Sequence, residues 1–163
     1  MPIVLWDASA LVLRYLPETG SEVVDAIFDA VPISDMALAM IGYSEVFSIL
    51  WRRHNASILS LKTFKSATSA LESDFLMGAP MLLEMSNGSV LKSLRSLQKH
   101  NINSTDAVIL TLFQEHSITV RRNDVVVVSG DHRMLRAAAS EGLAVIEPDD
   151  FEVKDIANFL AAL

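Results

Sequence analysis

The residues from Pro2 to Leu11, PIVLWDASAL, constrain the fold more than any other stretch of this chain. Ile3 to Trp6 run apolar without interruption, Asp7 follows at once, and Ala8 to Leu11 read as a helix start. A short unbroken apolar run fits a strand covered on both faces, the environment of a parallel sheet. A carboxylate directly after such a strand lies at the carboxyl edge of the sheet, where open α/β folds place their ligands. It matters, then, which of the other acidic residues reach that edge.

Strand-like and helix-like segments alternate through the remaining chain. Periodicity predicts helices over residues 9–16, ended by Pro17, and 21–31, ended by Pro32. Residues 33–35 are expected to form a short second strand. Residues 40–54 and 58–77 read as helices, the second with Leu61, Phe64, Ala67, Leu71 and Phe75 as its inner face. A third strand is expected over 81–85, a turn at Asn87 and Gly88, and a helix over 90–99. Ser104 is placed to cap a helix running to about His116. Val125 to Val128 form the clearest strand, and Asp131 leads into a helix ended by Gly142. A last strand covers 143–146. Pro148, Asp149 and Asp150 begin a final helix whose Ile156, Phe159, Leu160 and Leu163 are expected to face the core. This alternation implies βαβ units, hence an α/β fold with a parallel sheet covered on both sides. With no repeat, low-complexity segment or linker, residues 1–163 read as a single domain.

Composition narrows the class. Hydrophobic residues make up 51% and charged residues 20%, which is the balance of a folded globular chain. No apolar run approaches the roughly 18 residues of a membrane span, and the N-terminus lacks the basic region of a signal peptide. The absence of cysteine excludes disulfides and thiolate metal sites. A cytoplasmic protein is the expectation. The net charge of -7 argues against a general nucleic-acid binder, because phosphate affinity comes from Lys and Arg. The distribution qualifies this. No Lys or Arg lies between Arg14 and Arg52, and the basic residues gather later, at Arg52 and Arg53, at Lys92, Arg95 and Lys99, and at Arg121 and Arg122. Lys92, Arg95 and Lys99 share one helical stripe, which is also how an ordinary solvated face looks.

Four of the twenty acidic residues stand out by their settings. Asp7 and Asp131 each follow an apolar strand and precede a helix, so in a parallel sheet both face the same edge. Glu45 has Ile41 and Ile49 four residues to either side, which sets it on or beside a buried helix face. Asp106 stands in the first turn of its helix, in line with Ile109, Leu110 and Phe113. Taken singly, each has an ordinary explanation as a cap, a helix-dipole partner or half of an ion pair. Taken together, four inward carboxylates form a cluster whose like charges raise one another's pKa. A divalent cation relieves that conflict, and oxygen-only ligands suit Mg2+ or Mn2+. No phosphate-binding loop, dinucleotide fingerprint or nucleophile elbow is present. His54, His100, His116 and His132 have no zinc-ligand spacing.

The four acidic segments, DAS at Asp7–Ser9, SEV at Ser44–Val46, STDAVIL at Ser104–Leu110 and SGDHRML at Ser129–Leu135, resemble the four motifs of PIN-domain nucleases. The likeness is to the small VapC-type toxins of type II toxin–antitoxin pairs, and it covers nearly the whole chain. The resemblance implies a three-layer α/β/α domain with a central, mainly parallel sheet. It implies Mg2+- or Mn2+-dependent cleavage of RNA, with Asp7, Glu45, Asp106 and Asp131 as the acidic metal-site residues. Ser9 and Ser129 match the small hydroxyl positions that hold the first and last Asp. An acid or Asn often stands just beyond the last motif in that family, where this chain has His132 and Arg133. Such ions would polarise the scissile phosphate and lower the pKa of a bound water. The RNA contacts would fall to Arg52, Arg53, Lys92, Arg95, Lys99, Arg121 and Arg122. The resemblance further implies a cognate antitoxin and a homodimer, with the early helices or the helix over 58–77 as interface. A DNA- or structure-specific nuclease, or an inactive PIN-like RNA-binding scaffold, are the alternatives on the same fold.

Overall fold

The computed structural model describes residues 2–120 and 124–163. Five parallel strands form the sheet: β1 (Ile3–Trp6), β2 (Met36–Ala39), β3 (Met81–Leu83), β4 (Val125–Val128) and β5 (Ala144–Ile146), in the order β3-β2-β1-β4-β5. Helices α1 (Ala8–Leu11) and α2 (Ser21–Ala30) carry the chain from β1 to β2. Helices α3 (Met40–Asn55) and α4 (Leu61–Glu72) join β2 to β3. Helices α5 (Asn87–His100) and α6 (Ser104–Val120) precede β4, α7 (His132–Ser140) joins β4 to β5, and α8 (Val153–Ala162) closes the chain.

The alternation of β1 builds three layers. Val4 and Trp6 face one core, with Val24, Ile27, Leu50, Phe64, Phe75, Ile156 and Leu160. Ile3 and Leu5 face the other, with Ile109, Leu110, Phe113, Met134 and Ala138. Both strands central to the sheet, β1 and β4, are buried at every residue, as the apolar runs predict. The fold is thus the expected α/β/α sandwich, and its sheet is wholly parallel. Among the described residues no helix is long and apolar enough to cross a membrane.

Several local expectations shift. Residues 33–35 form a 3-10 turn behind Pro32, and the second strand is the next four residues, MALA, all buried. The helix expected over 9–16 ends at Leu11 and tightens into a 3-10 turn over Val12–Arg14. The long helix expected over 58–77 starts later, capped by the Ser60 hydroxyl that accepts from the Thr63 amide, and ends in a π-helical turn over Ser73–Met77 that still buries Phe75. Asn87 and Gly88 are not a turn but the first turn of α5. Ser86 caps it, and Ser86 and Ser89 exchange backbone-to-hydroxyl bonds in a capping box. Pro148–Asp150 form a separate 3-10 turn before α8. As expected, α8 turns Ile156 and Leu160 inward beside α2, with Phe159 half-buried against Phe151, whereas Leu163 stays exposed.

Candidate active site

The strand order reverses between β1 and β4, because β1 continues to β2 on one side while β4 continues to β5 on the other. A crevice at the carboxyl ends of strands is expected at such a switch point. Trp6 is in register with Val128, so Asp7 and Ser129 leave the sheet side by side. Asp7, only 6% exposed, caps α1, and both serines close on it. The Ser129 hydroxyl donates to Asp7 Oδ2 at 2.8 Å, and the Ser9 hydroxyl donates to the same oxygen. Each serine oxygen in turn accepts an amide from the β4–α7 loop: Gly130 N–H on Ser9 at 2.9 Å and Asp131 N–H on Ser129 at 3.0 Å. Two hydroxyls therefore tie the ends of β1 and β4 together and fix one oxygen of a buried carboxylate. Asp131 caps α7 by accepting the Arg133 amide at 2.7 Å.

The other two acids arrive from helices. Glu45 lies in the second turn of α3 and is half-buried. Asp106 lies in the first turn of α6 and is half-buried as well. The cap of α6 is Asn103 rather than the expected Ser104, which is already helical. Asn103 Oδ1 accepts the Asp106 amide at 2.9 Å, and Asn103 Nδ2 donates to Asp106 Oδ2 at 2.7 Å. All four acids, with Ser9, Ser48 and Arg52, line one cleft of about 270 Å3.

Electrostatics registers the proximity. Burial, then the charges of Asp7 and Asp106, push the Glu45 carboxyl up to about 7, against the opposing pull of Arg52. Burial, then Asp7 and Asp131, push Asp106 up to about 6, with Arg133 opposing. Burial is the larger cause at both carboxyls, and the neighbouring acids add to it.

Three solved structures share this architecture. PAE2754 from Pyrobaculum aerophilum superposes with a TM-score of 0.61 at 18% identity, over 98% of this chain and 96% of its own. FitAcB from Neisseria gonorrhoeae gives 0.62 at 20%, over 91% and 99%. A toxin–antitoxin complex from Klebsiella pneumoniae gives 0.59 at 17%, over 89% and 97%. The fold is PIN-like. No protein-family model matches the chain, and no curated protein matches it in sequence.

The donor set of this cleft suits a hard divalent cation in its chemistry: carboxylate oxygens only, with Glu45 and Asp106 held above the usual carboxylate range by burial and by their acidic neighbours. Its geometry is open. Among the described residues no three acidic or histidine side chains stand close enough to hold an ion by themselves. Mg2+ is commonly bound through one or two carboxylates, with waters and substrate phosphate completing the octahedron, so an open arrangement accommodates it.

The five described basic candidates divide between α3, which carries Arg52 and Arg53, and α5, which carries Lys92, Arg95 and Lys99. Arg52 lines the acidic cleft, with its Nε donating to the Ser48 carbonyl at 3.3 Å. Arg53 pairs with Glu18, Lys92 with Glu115 at 2.6 Å, and Lys99 with Glu141 at 2.8 Å. Arg95 lines a different cleft, between α5 and α6. Arg121 and Arg122 lie outside the described residues. The sequence reading overlooked Asn103 as the group that orients Asp106 and Arg133 as a cation acting on it. The first was detectable, because Asn three residues before an Asp at a helix start is capping spacing. Arg133 carried no such signal.

Proposed function

We propose that this chain is a metal-dependent endoribonuclease that hydrolyses RNA phosphodiester bonds and acts as the toxin of a toxin–antitoxin pair. The observation that carries the reading is the meeting of Asp7, Glu45, Asp106 and Asp131, from four separate elements, in one cleft at the switch point of a PIN-like sheet. The likeness to the toxin–antitoxin complex from Klebsiella pneumoniae supports the biological setting and an antitoxin partner. A bound Mg2+ or Mn2+ would supply charge stabilisation to the scissile phosphate and acidify an attacking water. The chain's own residues then have separate tasks. Asp7, with Oδ2 held by two hydroxyls, is a rigid anionic post. Asp106 is aimed by Asn103, and Asp131 is held at the tip of α7. Glu45, pushed up to about 7 by burial and by its acidic neighbours, is a carboxyl whose ionised form a bound cation would favour.

The test is cleavage of single-stranded RNA, single-stranded DNA and a flap duplex in Mg2+ or Mn2+, by wild type and by Asp7→Asn with its fold checked by circular dichroism. RNA cleavage by wild type and loss of at least about 100-fold in Asp7→Asn is the expected result, in the range for removing a group that stabilises transition-state charge. Undiminished cleavage by Asp7→Asn overturns the site, and preferred cleavage of DNA or the flap transfers the activity to those substrates. Light scattering at micromolar concentration checks the homodimer that belongs to this reading. A monomeric mass removes it.

A further inference from the structure

The acidic cleft does not end at its carboxylates. A second groove of about 320 Å3, lined by Arg53, Ala56 and Ile58, shares Ile49 and Arg52 with it. The two therefore meet along a single face of α3. Glu45, Ser48, Ile49, Arg52 and Ala56 follow at spacings of three and four, so they stack on that face. The face changes character along its length: carboxylate at Glu45, then cation at Arg52 two turns and about 10 Å farther on, then, past the end of α3, Ala56 and Ile58, the latter 67% exposed.

We propose that this second groove holds the single-stranded nucleic-acid segment flanking the scissile bond, with its phosphates on Arg52 and Arg53 and an unpaired base against Ile49 and Ile58. The proposal rests on the nuclease reading for its context, not for its chemistry. A chain of net charge -7 with four carboxylates in one cleft repels a polyanion, so a local cation must offset the approach. Among the described residues, Arg52 is the only cation lining the acidic cleft. Arg53 pairs with Glu18 in solvent, where both side chains are substantially exposed. The pair is two-pronged, Nη1 on Oε1 and Nη2 on Oε2, and a phosphate, which likewise accepts two guanidinium N–H bonds at once, competes for the same donors. Ile49, Ala56 and Ile58 line the same groove as the two arginines, and such an apolar surface suits a base whose face is free, as in a single strand, since duplex bases are already stacked on each other.

The experiment is fluorescence-anisotropy titration of labelled RNA and DNA decamers, in EDTA so that binding is read without cleavage, at several salt concentrations. Wild type, Arg52→Ala, Arg52→Lys, Arg53→Ala and, as a remote control, Lys154→Ala are compared after their folds are checked by circular dichroism. Arg52→Ala is expected to weaken binding by about tenfold and to reduce the log–log salt slope by about one, the signature of one lost phosphate contact. Arg52→Lys should recover most of that loss, Arg53→Ala should weaken binding by a smaller factor, and Lys154→Ala should bind as wild type. Loss on both decamers assigns the contact to phosphate, and loss on RNA alone adds the ribose. Wild-type affinity in both arginine variants overturns the proposal, as does Arg52-dependent binding of a polyglutamate peptide with no binding of either decamer. Arg52-dependent binding by a protein that cuts nothing in Mn2+ would remove the nuclease reading and leave this groove standing.

Discussion

Two hydroxyls decide how Asp7 is presented. Ser129 is fully buried, donates to Asp7 Oδ2 at 2.8 Å and accepts the Asp131 amide at 3.0 Å. Ser129→Ala leaves a buried carboxylate short of a donor and an amide short of an acceptor. Urea denaturation is expected to show a loss of about 1.5–3 kcal/mol, the range for a hydrogen bond to a charged group. Glu45 gives a second prediction. Its folded pKa, pushed up to about 7, lies above the ordinary 4.5. The folded state therefore binds the proton more tightly than the unfolded one, so the contribution is fully present below about pH 4.5 and is lost as pH rises towards 7. In Glu45→Gln that dependence vanishes. The difference in melting temperature between variant and wild type should grow in the variant's favour from pH 5 to pH 7.5 and level off above, and a flat difference would deny that burial and the neighbouring acids raise this carboxyl. At this scale the sequence was most legible where a residue's role follows from its place on an element: Asp7 and Asp131 had to leave parallel strands at one edge. Ser129 was matched through its motif, whereas the pairing of its hydroxyl with Asp7 depends on the β1–β4 register, which no local pattern encodes.

Among the elements, α5 runs against the usual rule. Ser89, Ser93 and Ser96 are its buried face against α6, while Leu91 and Leu94 are 69% and 53% exposed. Small side chains let the two helices approach closely, and Ser93 and Ser89 return their hydroxyls to backbone carbonyls three residues earlier. Ser93→Leu is accordingly expected to cost about 1–3 kcal/mol through overpacking. Leu94→Ser should stay within about 0.5 kcal/mol, as for an exposed site. Thermal melts of the two variants check the inversion, and the reverse order of effects would place the leucines inside. Periodicity found the helix but has no means to say which face is inner when the partner helix is built to receive serine. The same limit explains residues 33–35 and β2. Ile33 carried a strand signal, but Pro32 opens a 3-10 turn there, and the true strand, MALA, has no β-branched residue to mark it.

At the level of the whole molecule, the sheet order and the charge balance converge on one cleft. The order β3-β2-β1-β4-β5 brings the ends of β1 and β4 together, α3 follows β2 across one face, and α6 returns across the other to supply Asp106. Strand-like runs and alternation predict the layers. The order of strands follows from right-handed crossovers and burial on both faces rather than from any single residue. Ionising Glu45 and Asp106 in the folded cleft opposes folding, since both are held above the usual carboxylate range, so a divalent ion that binds only the folded cleft should stabilise the entire domain. An ion present at a hundred times its dissociation constant contributes about 2.7 kcal/mol. For a chain of this size that corresponds to a rise of about 5–10 °C in melting temperature. Calorimetric scans at pH 7.5 with increasing Mn2+, in a buffer free of phosphate, should show this rise in wild type and a much smaller one in Asp7→Asn. Ca2+, larger and able to take the same oxygen ligands, provides a comparison that separates occupancy of the cleft from the preference for a small ion. Equal rises in wild type and Asp7→Asn would mean that the ion binds elsewhere on an acidic surface, and the carboxylates would then be neighbours without a shared ligand.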